Sequence, residues 1–121
     1  MSVKSYRDLI VWQKSLDLVD MIYDVTASFP ATERYGLTNQ LRRAGVSIPS
    51  NIAEGHARQS RQEFKRFLSI ASGSLAEAET QLIIANRRHY LRSEKLEELM
   101  SLSDEISKML ASLMRKLGAR D

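Results

Sequence analysis

The side chains best suited to chemistry in this 121-residue sequence are its arginines. Arginine outnumbers lysine by 12 to 6, and its planar guanidinium group can bind phosphate oxygens through two parallel hydrogen bonds. From Arg34 to Arg66, seven positive and two negative side chains give a net charge of +5. From Tyr6 to Phe29, two positive and four negative side chains give −2. Positive charge is therefore concentrated beyond the N-terminal segment.

Nine arginine and lysine residues are candidates for binding nucleic acid through its phosphates. They lie on the polar side of the predicted second helix, around the start of the third helix, and at its end. Because the two ends of a helix lie at opposite ends of an antiparallel bundle, we expect two basic patches per subunit. The alternative is an ordinary solvated surface, since nothing in the sequence indicates recognition of base edges. The candidates are Arg42, Arg43, Arg58, Arg61, Lys65, Arg66, Arg87, Arg88 and Arg92.

No combination of residues predicts a catalytic centre. The sequence contains no cysteine, which excludes disulfides and thiolate metal sites. His56 and His89 are far apart and have no metal-ligand spacing. Glu77 and Glu79 are two residues apart, so their side chains point away from each other on a helix. Phosphate-binding glycine loops and nucleophile motifs are also missing from the sequence. We therefore expect a protein that is not an enzyme and that holds no metal or other cofactor.

Asn51 and Glu54 are the remaining polar residues of interest. One interpretation is a polar site inside the bundle. The other is structural: Asn51 bonds backbone groups that a proline leaves free, and Glu54 pairs with Arg43 or Arg58. We favour the structural interpretation.

The spacing of apolar residues predicts an all-α protein with four helices. The pair Phe29-Pro30 ends the first helix, because a residue before proline disfavours the α conformation. Thr32 is the expected N-cap of the second helix, and Ser60 with Glu63 forms a capping box that begins the third. The short connections predict an antiparallel up-down-up-down four-helix bundle. We expect helices at about residues 6–28, 33–57, 61–90 and 94–117.

Two residues inside the predicted helices are unfavourable for helical structure. Pro49 removes one backbone hydrogen bond and pushes against the carbonyl group of Gly45, so we expect the second helix to be kinked near Pro49. Gly73 costs about 1 kcal/mol relative to alanine in a helix interior, so we expect another helix to pack closely against it.

The predicted first helix carries two rows of apolar side chains, about 120° apart. One row can face the core of the bundle. The other needs a different cover, which either self-association or a position wedged between two helices of the same chain would provide. The first row is Leu9, Trp12, Leu16, Val19 and Tyr23, and the second is Val11, Leu18, Ile22, Val25 and Phe29.

The composition also indicates where the protein is located and what class of partner it has. Residues Met1 to Asp8 are polar, and no apolar segment resembling a secretory signal follows them. No run approaches the length of about 18 apolar residues that suggests a transmembrane helix. We therefore expect a cytoplasmic protein that is not inserted in a membrane. The net charge of +3 and pI of about 9.4 weakly indicate anionic partners.

Several runs of residues resemble the bacterial four-helix-bundle family that includes proteins encoded within intervening sequences of 23S ribosomal RNA genes. The resemblance covers nearly the whole chain, and its most specific part is the S-x-P-x-N-I-A-E-G run that includes Pro49, Asn51, Glu54 and Gly55. The matching runs are Tyr6 to Gln13, Phe29-Pro30, Tyr35 to Ala44, Ser47 to Gly55, Glu63-Phe64, Arg66 to Leu68, and Gly73 to Glu77.

This resemblance implies a four-helix bundle, a homopentameric barrel and no established enzymatic activity. It also implies kinship with the accessory variability proteins of diversity-generating retroelements, which are pentameric and basic, bind nucleic acid and act with a reverse transcriptase. By this analogy, a reverse transcriptase or another protein is a candidate partner.

Taken together, the residues and the resemblance predict a self-associating, non-enzymatic bundle, assembled as a pentameric ring, that binds RNA or DNA through phosphate contacts. The alternative is a scaffold that binds other proteins and has no physiological nucleic-acid ligand.

Overall fold

The computed structural model describes residues 5–118, which form four α-helices and contain no β-strand. The helices are α1 (Ile10–Thr26), α2 (Leu37–Ala57), α3 (Arg61–Arg87) and α4 (Ser93–Gly118). Short 3-10 turns at Tyr6–Asp8 and Ala31–Glu33 precede α1 and α2.

Each helix packs against two neighbours, so the four helices form a closed square. Helices α1 and α3 both contact α2 and α4, whereas neither diagonal pair is in contact within the described residues. Because sequential helices are joined by short turns, neighbours run antiparallel. The predicted all-α, up-down-up-down four-helix bundle is confirmed.

The core consists of one apolar stripe from each helix. On α1 the buried row is the one containing Val11, Leu18 and Ile22, and Phe29 completes it beyond the helix. The other row is only partly covered, because Leu16 and Tyr23 remain 38% and 43% exposed. On α4 the buried residues are Leu99, Ser103, Ile106 and Leu110, spaced three or four apart. The fully buried large side chains are Leu18, Ile22, Leu41, Ile48, Ile52, Leu68, Leu82, Leu99, Ile106 and Leu110.

Polar contacts join α4 to both of its neighbours. The buried Ser103 hydroxyl donates a hydrogen bond to the Glu79 carboxylate of α3. Lys14 of α1 lies 2.6 Å from Glu105, and this hydrogen bond raises the pKa of Lys14. A raised lysine pKa means that the pair stabilises the folded state below the ordinary lysine pKa, and that this contribution is lost as the pH rises above it.

The beginning of α2 differs from the prediction. Thr32 lies in a 3-10 turn, and α2 begins four residues beyond the expected start, at Leu37. The Glu33 carboxylate takes over the capping function, since its Oε1 accepts a hydrogen bond from the Leu37 amide at 3.0 Å. The predicted first helix likewise divides into a 3-10 turn at Tyr6–Asp8 and α1.

Helix α3 ends at Arg87, three residues before the predicted end. His89 adopts a positive φ of 66°, a conformation usually given to glycine. The Tyr90 amide then donates to the Ala85 carbonyl and the His89 amide donates to the Asn86 carbonyl. These two bonds form a Schellman motif, which satisfies carbonyl groups that the helix end would otherwise leave free.

Helix α2 continues as an α-helix through Pro49, which is buried. The Asn51 side-chain amide donates to the Ser47 carbonyl at 2.8 Å and to the Ser47 hydroxyl at 2.9 Å. The group that Pro49 leaves without a donor is the Gly45 carbonyl rather than the Ser47 carbonyl, so the expected role of Asn51 in bonding freed backbone groups stays a prediction. The kink at Pro49 stays a prediction.

Gly55 and Gly73 differ sharply in their surroundings. A Cβ atom on Gly55 would lie 2.6 Å from Phe67 Cβ, so α2 and α3 approach as closely as they do because residue 55 has no side chain. Gly73 has no atom of the described chain within 4 Å of its Cβ position. No helix within residues 5–118 packs closely against Gly73, so the expected close approach of another helix is not found within the described chain.

We predict that Gly55→Ala destabilises the folded protein by about 1–3 kcal/mol, because the two helices must separate to admit the methyl group. As the matched control, Gly73→Ala should stabilise it by about 0.5–1 kcal/mol, since alanine favours the helix. Urea unfolding at one fixed protein concentration measures both effects. Equal effects of the two substitutions would contradict the packing described here.

Candidate nucleic-acid interface

The nine candidate cationic residues divide between the two ends of the bundle. Arg87, Arg88 and Arg92 lie where α3 ends and α4 begins, and Arg42 and Arg43 lie nearby in the second turn of α2. The surface formed by these five residues and Arg34 is called the arginine end below. The other four candidates lie around the start of α3, and the group they form is called the opposite end. These four are Arg58, Arg61, Lys65 and Arg66.

Contacts between two turns hold the arginine end together. The Tyr90 hydroxyl donates to Glu33 Oε2 at 3.1 Å, and the rings of Phe29 and Tyr90 lie 5.7 Å apart. The Asn86 side chain donates to the Leu91 carbonyl at 2.9 Å. The turn before α2 and the turn before α4 are therefore packed against each other.

At the opposite end, two arginines cover a core phenylalanine. The guanidinium groups of Arg58 and Arg66 lie 5.1 Å and 4.6 Å from the ring centroid of Phe67, which is only 6% exposed. Each guanidinium also pairs with a carboxylate at 3.2 Å, Arg58 with Glu54 and Arg66 with Glu63. The pairing of Glu54 with Arg58 confirms the structural interpretation of Glu54. Both arginines are thus engaged within the chain.

The hydrogen bond from Arg66 lowers the pKa of Glu63. Because the pKa is lowered, this pair stabilises the folded state above the ordinary pKa of glutamate. The contribution is lost as the pH falls and Glu63 becomes protonated.

Arg61 and Lys65 are also engaged. Arg61 Nη1 donates to the carbonyl oxygens of Lys116 and Leu117 at 3.4 Å and 3.3 Å, so it caps the last turn of α4. Lys65 is exposed and takes part in an interaction as well. At the opposite end, all four sequence-predicted candidates therefore have partners in the chain.

At the arginine end, four guanidinium groups have no partner. Arg43, Arg87, Arg88 and Arg92 are exposed, and within residues 5–118 they make no hydrogen bond, ion pair or ring contact. Within residues 5–118, no side chain therefore pairs with their charges.

Acidic residues also lie at this end: Glu33 and Glu94 are on the turns that carry the arginines, and Asp24, Glu97 and Glu98 are in the adjoining helix turns. Glu33 uses one carboxylate oxygen for the Leu37 amide and the other for Tyr90. Glu94 is exposed in the first turn of α4. Within the described residues, none of these carboxylates forms an ion pair with an arginine of this end.

Arg42 differs from its neighbours because it is fixed against α1. Its Nε donates to Thr26 Oγ1 at 2.8 Å, and its guanidinium lies 4.6 Å from the ring centroid of Tyr23. Together with Arg34 it lines a groove between the end of α1 and the start of α2. Arg34 was not among the sequence candidates. Its position in the Arg34-Tyr35-Gly36 run before α2 was the signal that could have revealed it.

Among residues 5–118, no group of three histidine, cysteine, aspartate or glutamate side chains is arranged to hold a metal ion. No described helix is both long enough and apolar enough to span a bilayer.

The difference between the two ends can be tested by stability. We predict that Arg66→Ala lowers the midpoint of thermal unfolding by about 3 °C, because Phe67 loses a cation–π partner and part of its cover. Arg88→Ala, at an arginine without a partner, should change it by less than about 1 °C. Circular dichroism melting curves measure both, and a larger effect of Arg88→Ala would contradict this division.

Comparison with known proteins agrees with the fold. No curated protein is significantly similar to the chain. The structure resembles the crystal structure of a protein of unknown function from the S23 ribosomal protein family of Bacteroides thetaiotaomicron. The two are 31% identical over 88% of this chain and 96% of that chain, with a TM-score of 0.81. The family profile of the 23S rRNA-intervening sequence protein matches residues 7–112. The chain therefore belongs to the 23S rRNA-intervening sequence protein family.

Proposed function

We propose that this protein is a self-associating bundle, assembled as a pentameric ring, that binds RNA or DNA through phosphate contacts at the arginine end. The observation that carries the proposal is the presence there of four exposed arginines without intramolecular partners. A guanidinium group that has no partner within the chain can bind phosphate without breaking an existing contact. The four sequence candidates at the opposite end lack this property because they are already engaged, whereas the exposed side chains of Arg115 and Lys116, in the last turn of α4, have no partner within residues 5–118.

The position of Arg92 adds a further argument. Arg87 and Arg88 lie at the C-terminal end of α3, where a positive charge stabilises the helix dipole by about 0.3–1 kcal/mol. Arg92 lies at the start of α4, where its carbonyl accepts the first helical hydrogen bond, from Leu96. A positive charge is unfavourable at that end of a helix. A bound external anion would stabilise the positive charge of Arg92, which the start of the helix does not.

Binding of this kind depends on phosphates rather than on base sequence. The free cations of the arginine end can be satisfied by backbone phosphates alone. Affinity is therefore expected to fall steeply as salt concentration rises, because counterions are released when phosphates are neutralised.

Self-association is supported by the partly uncovered apolar row on α1. Leu16 and Tyr23 are exposed, Trp12 and Val19 are half-buried, and Val46 of α2 extends the same surface with 41% exposure. A second copy that covered this row would remove apolar surface from water. In a cyclic ring the contacts are head-to-tail, so every subunit places its arginine end on the same rim.

The family resemblance adds a pentamer and a protein partner to this proposal, by analogy with the retroelement accessory proteins that act with a reverse transcriptase. The exposed α1 row also favours the alternative function of a protein-binding scaffold. The two functions differ in whether the free arginines matter, and the next experiment separates them.

We predict that replacing Arg87, Arg88 and Arg92 together by glutamine weakens binding to labelled RNA and DNA. The dependence of log affinity on log salt should become shallower by about 2–3 units, because about three phosphate contacts are lost. Fluorescence anisotropy over several salt concentrations measures this, using protein freed of nucleic acid.

The matched control replaces Arg7, Lys108 and Arg115 by glutamine. This variant loses the same charge from exposed residues outside the arginine end. Equal weakening in both triple variants would show a general charge effect and contradict the assigned surface. If the unaltered protein binds no nucleic acid even at low salt, the scaffold function replaces this one.

We also predict that Leu16→Asp converts the oligomer into a folded monomer, because a carboxylate on the α1 row opposes burial against a second copy. The control is Ile10→Asp, which alters an exposed residue on another side of α1 and should leave the oligomer intact. Light scattering coupled to size exclusion gives the mass, and circular dichroism checks the fold. A stable monomer of the unaltered protein at micromolar concentration would remove the ring.

A further inference from the structure

Tyr35 is the most exposed large hydrophobic side chain among the described residues. Its side chain is 85% exposed, which leaves nearly the whole phenol ring in solvent. The ring contact recorded for it is with the Arg34 guanidinium, 6.0 Å from the ring centroid. Packing within the described chain therefore does not explain a tyrosine at this position.

The backbone that presents Tyr35 is held firmly. Glu33 fixes the segment through the Leu37 amide on one side and the Tyr90 hydroxyl on the other, at 3.0 Å and 3.1 Å. The Gly36 amide donates to the Glu33 carbonyl at 3.0 Å. A Cβ on Gly36 would lie 2.8 Å from Glu33 Oε1, so a larger residue at 36 would disturb this arrangement. The exposed ring thus stands on an anchored turn.

A groove lined by two arginines lies beside this turn. Arg34 and Arg42 line it together with Pro30 and Asn39. Arg42 is oriented by its Nε bond to Thr26, and its two terminal nitrogens make no hydrogen bond within residues 5–118. A guanidinium held in this way can offer both terminal NH₂ groups to one phosphate without first losing side-chain freedom.

We propose that Tyr35, Arg34 and Arg42 form a subsite for one nucleotide of an unpaired RNA or DNA strand. The base stacks on the Tyr35 ring, and the adjoining phosphate is bound between Arg34 and Arg42 in the groove. An exposed aromatic ring beside cationic groups is the usual combination for binding single strands. In a duplex both faces of each base are already stacked, so this subsite selects unpaired strands or loops over duplexes. The proposal rests on the proposed nucleic-acid binding at the arginine end and specifies its ligand.

The test compares short single-stranded oligouridine with a duplex of the same length by fluorescence anisotropy. Tyr35→Leu should weaken single-strand binding about tenfold, because base stacking on an aromatic ring is lost. Duplex binding should change by less than about twofold, and the salt dependence should stay the same, since no phosphate contact is removed. Tyr35→Phe keeps the ring and should retain single-strand affinity. Arg34→Gln should instead make the salt dependence shallower by about 0.7.

A second readout identifies the contact directly. An oligonucleotide containing 5-iodouridine, irradiated when bound, should crosslink to the peptide that contains Tyr35. Crosslinks found only elsewhere would overturn the subsite, as would equal effects of Tyr35→Leu on single strands and duplexes. A change of oligomer mass in Tyr35→Leu would also overturn it, because the ring would then contact another subunit. In each of these cases binding by the unaltered protein remains, whereas no binding at all defeats the proposed function itself.

Discussion

The close packing of α2 against α3 at Gly55 is the contact beside which two of the engaged arginines lie. Because Gly55 has no side chain, Phe67 packs directly against α2, and its ring reaches the surface between the two helices. Arg58 and Arg66 cover that ring and each take a carboxylate partner. The two arginines beside this contact are thus engaged within the chain. Four arginines without side-chain partners remain at the arginine end.

The short turns between helices bring residues that are distant in sequence to one surface. Arg34 and Arg92 are far apart along the chain, yet the turns that carry them are joined by the bond between Tyr90 and Glu33. Glu33 is central to this end, since one carboxylate both caps α2 and ties down the turn that precedes α4. The backbone that carries the cationic groups is therefore held in place, which reduces the conformational entropy that the protein loses when a ligand binds.

The fold could be predicted from the sequence because four long apolar periodicities and short connections leave few arrangements. Helix ends were harder. The start of α2 depends on the Glu33 cap. The end of α3 depends on the positive φ of His89, which could not be predicted from the residue type alone. The division of the arginines could not be predicted either, because a cation such as Arg61 acquires its partners from the end of α4, over fifty residues away. The exposure of Tyr35 could not be predicted, because it depends on α2 beginning at Leu37, beyond the start expected from the sequence.

The grouping of four free arginines at the arginine end has a consequence for ligand size under the proposed function. One subunit with a few phosphate contacts would hold a short oligonucleotide weakly. In the proposed ring, a strand long enough to pass from one subunit to the next would be bound again at a high effective concentration, so its affinity would rise with each subunit it reached. A ring whose subunits share one rim would therefore discriminate among nucleic acids by contour length rather than by sequence. Free nucleotides and short degradation products would be released, while long strands would be retained.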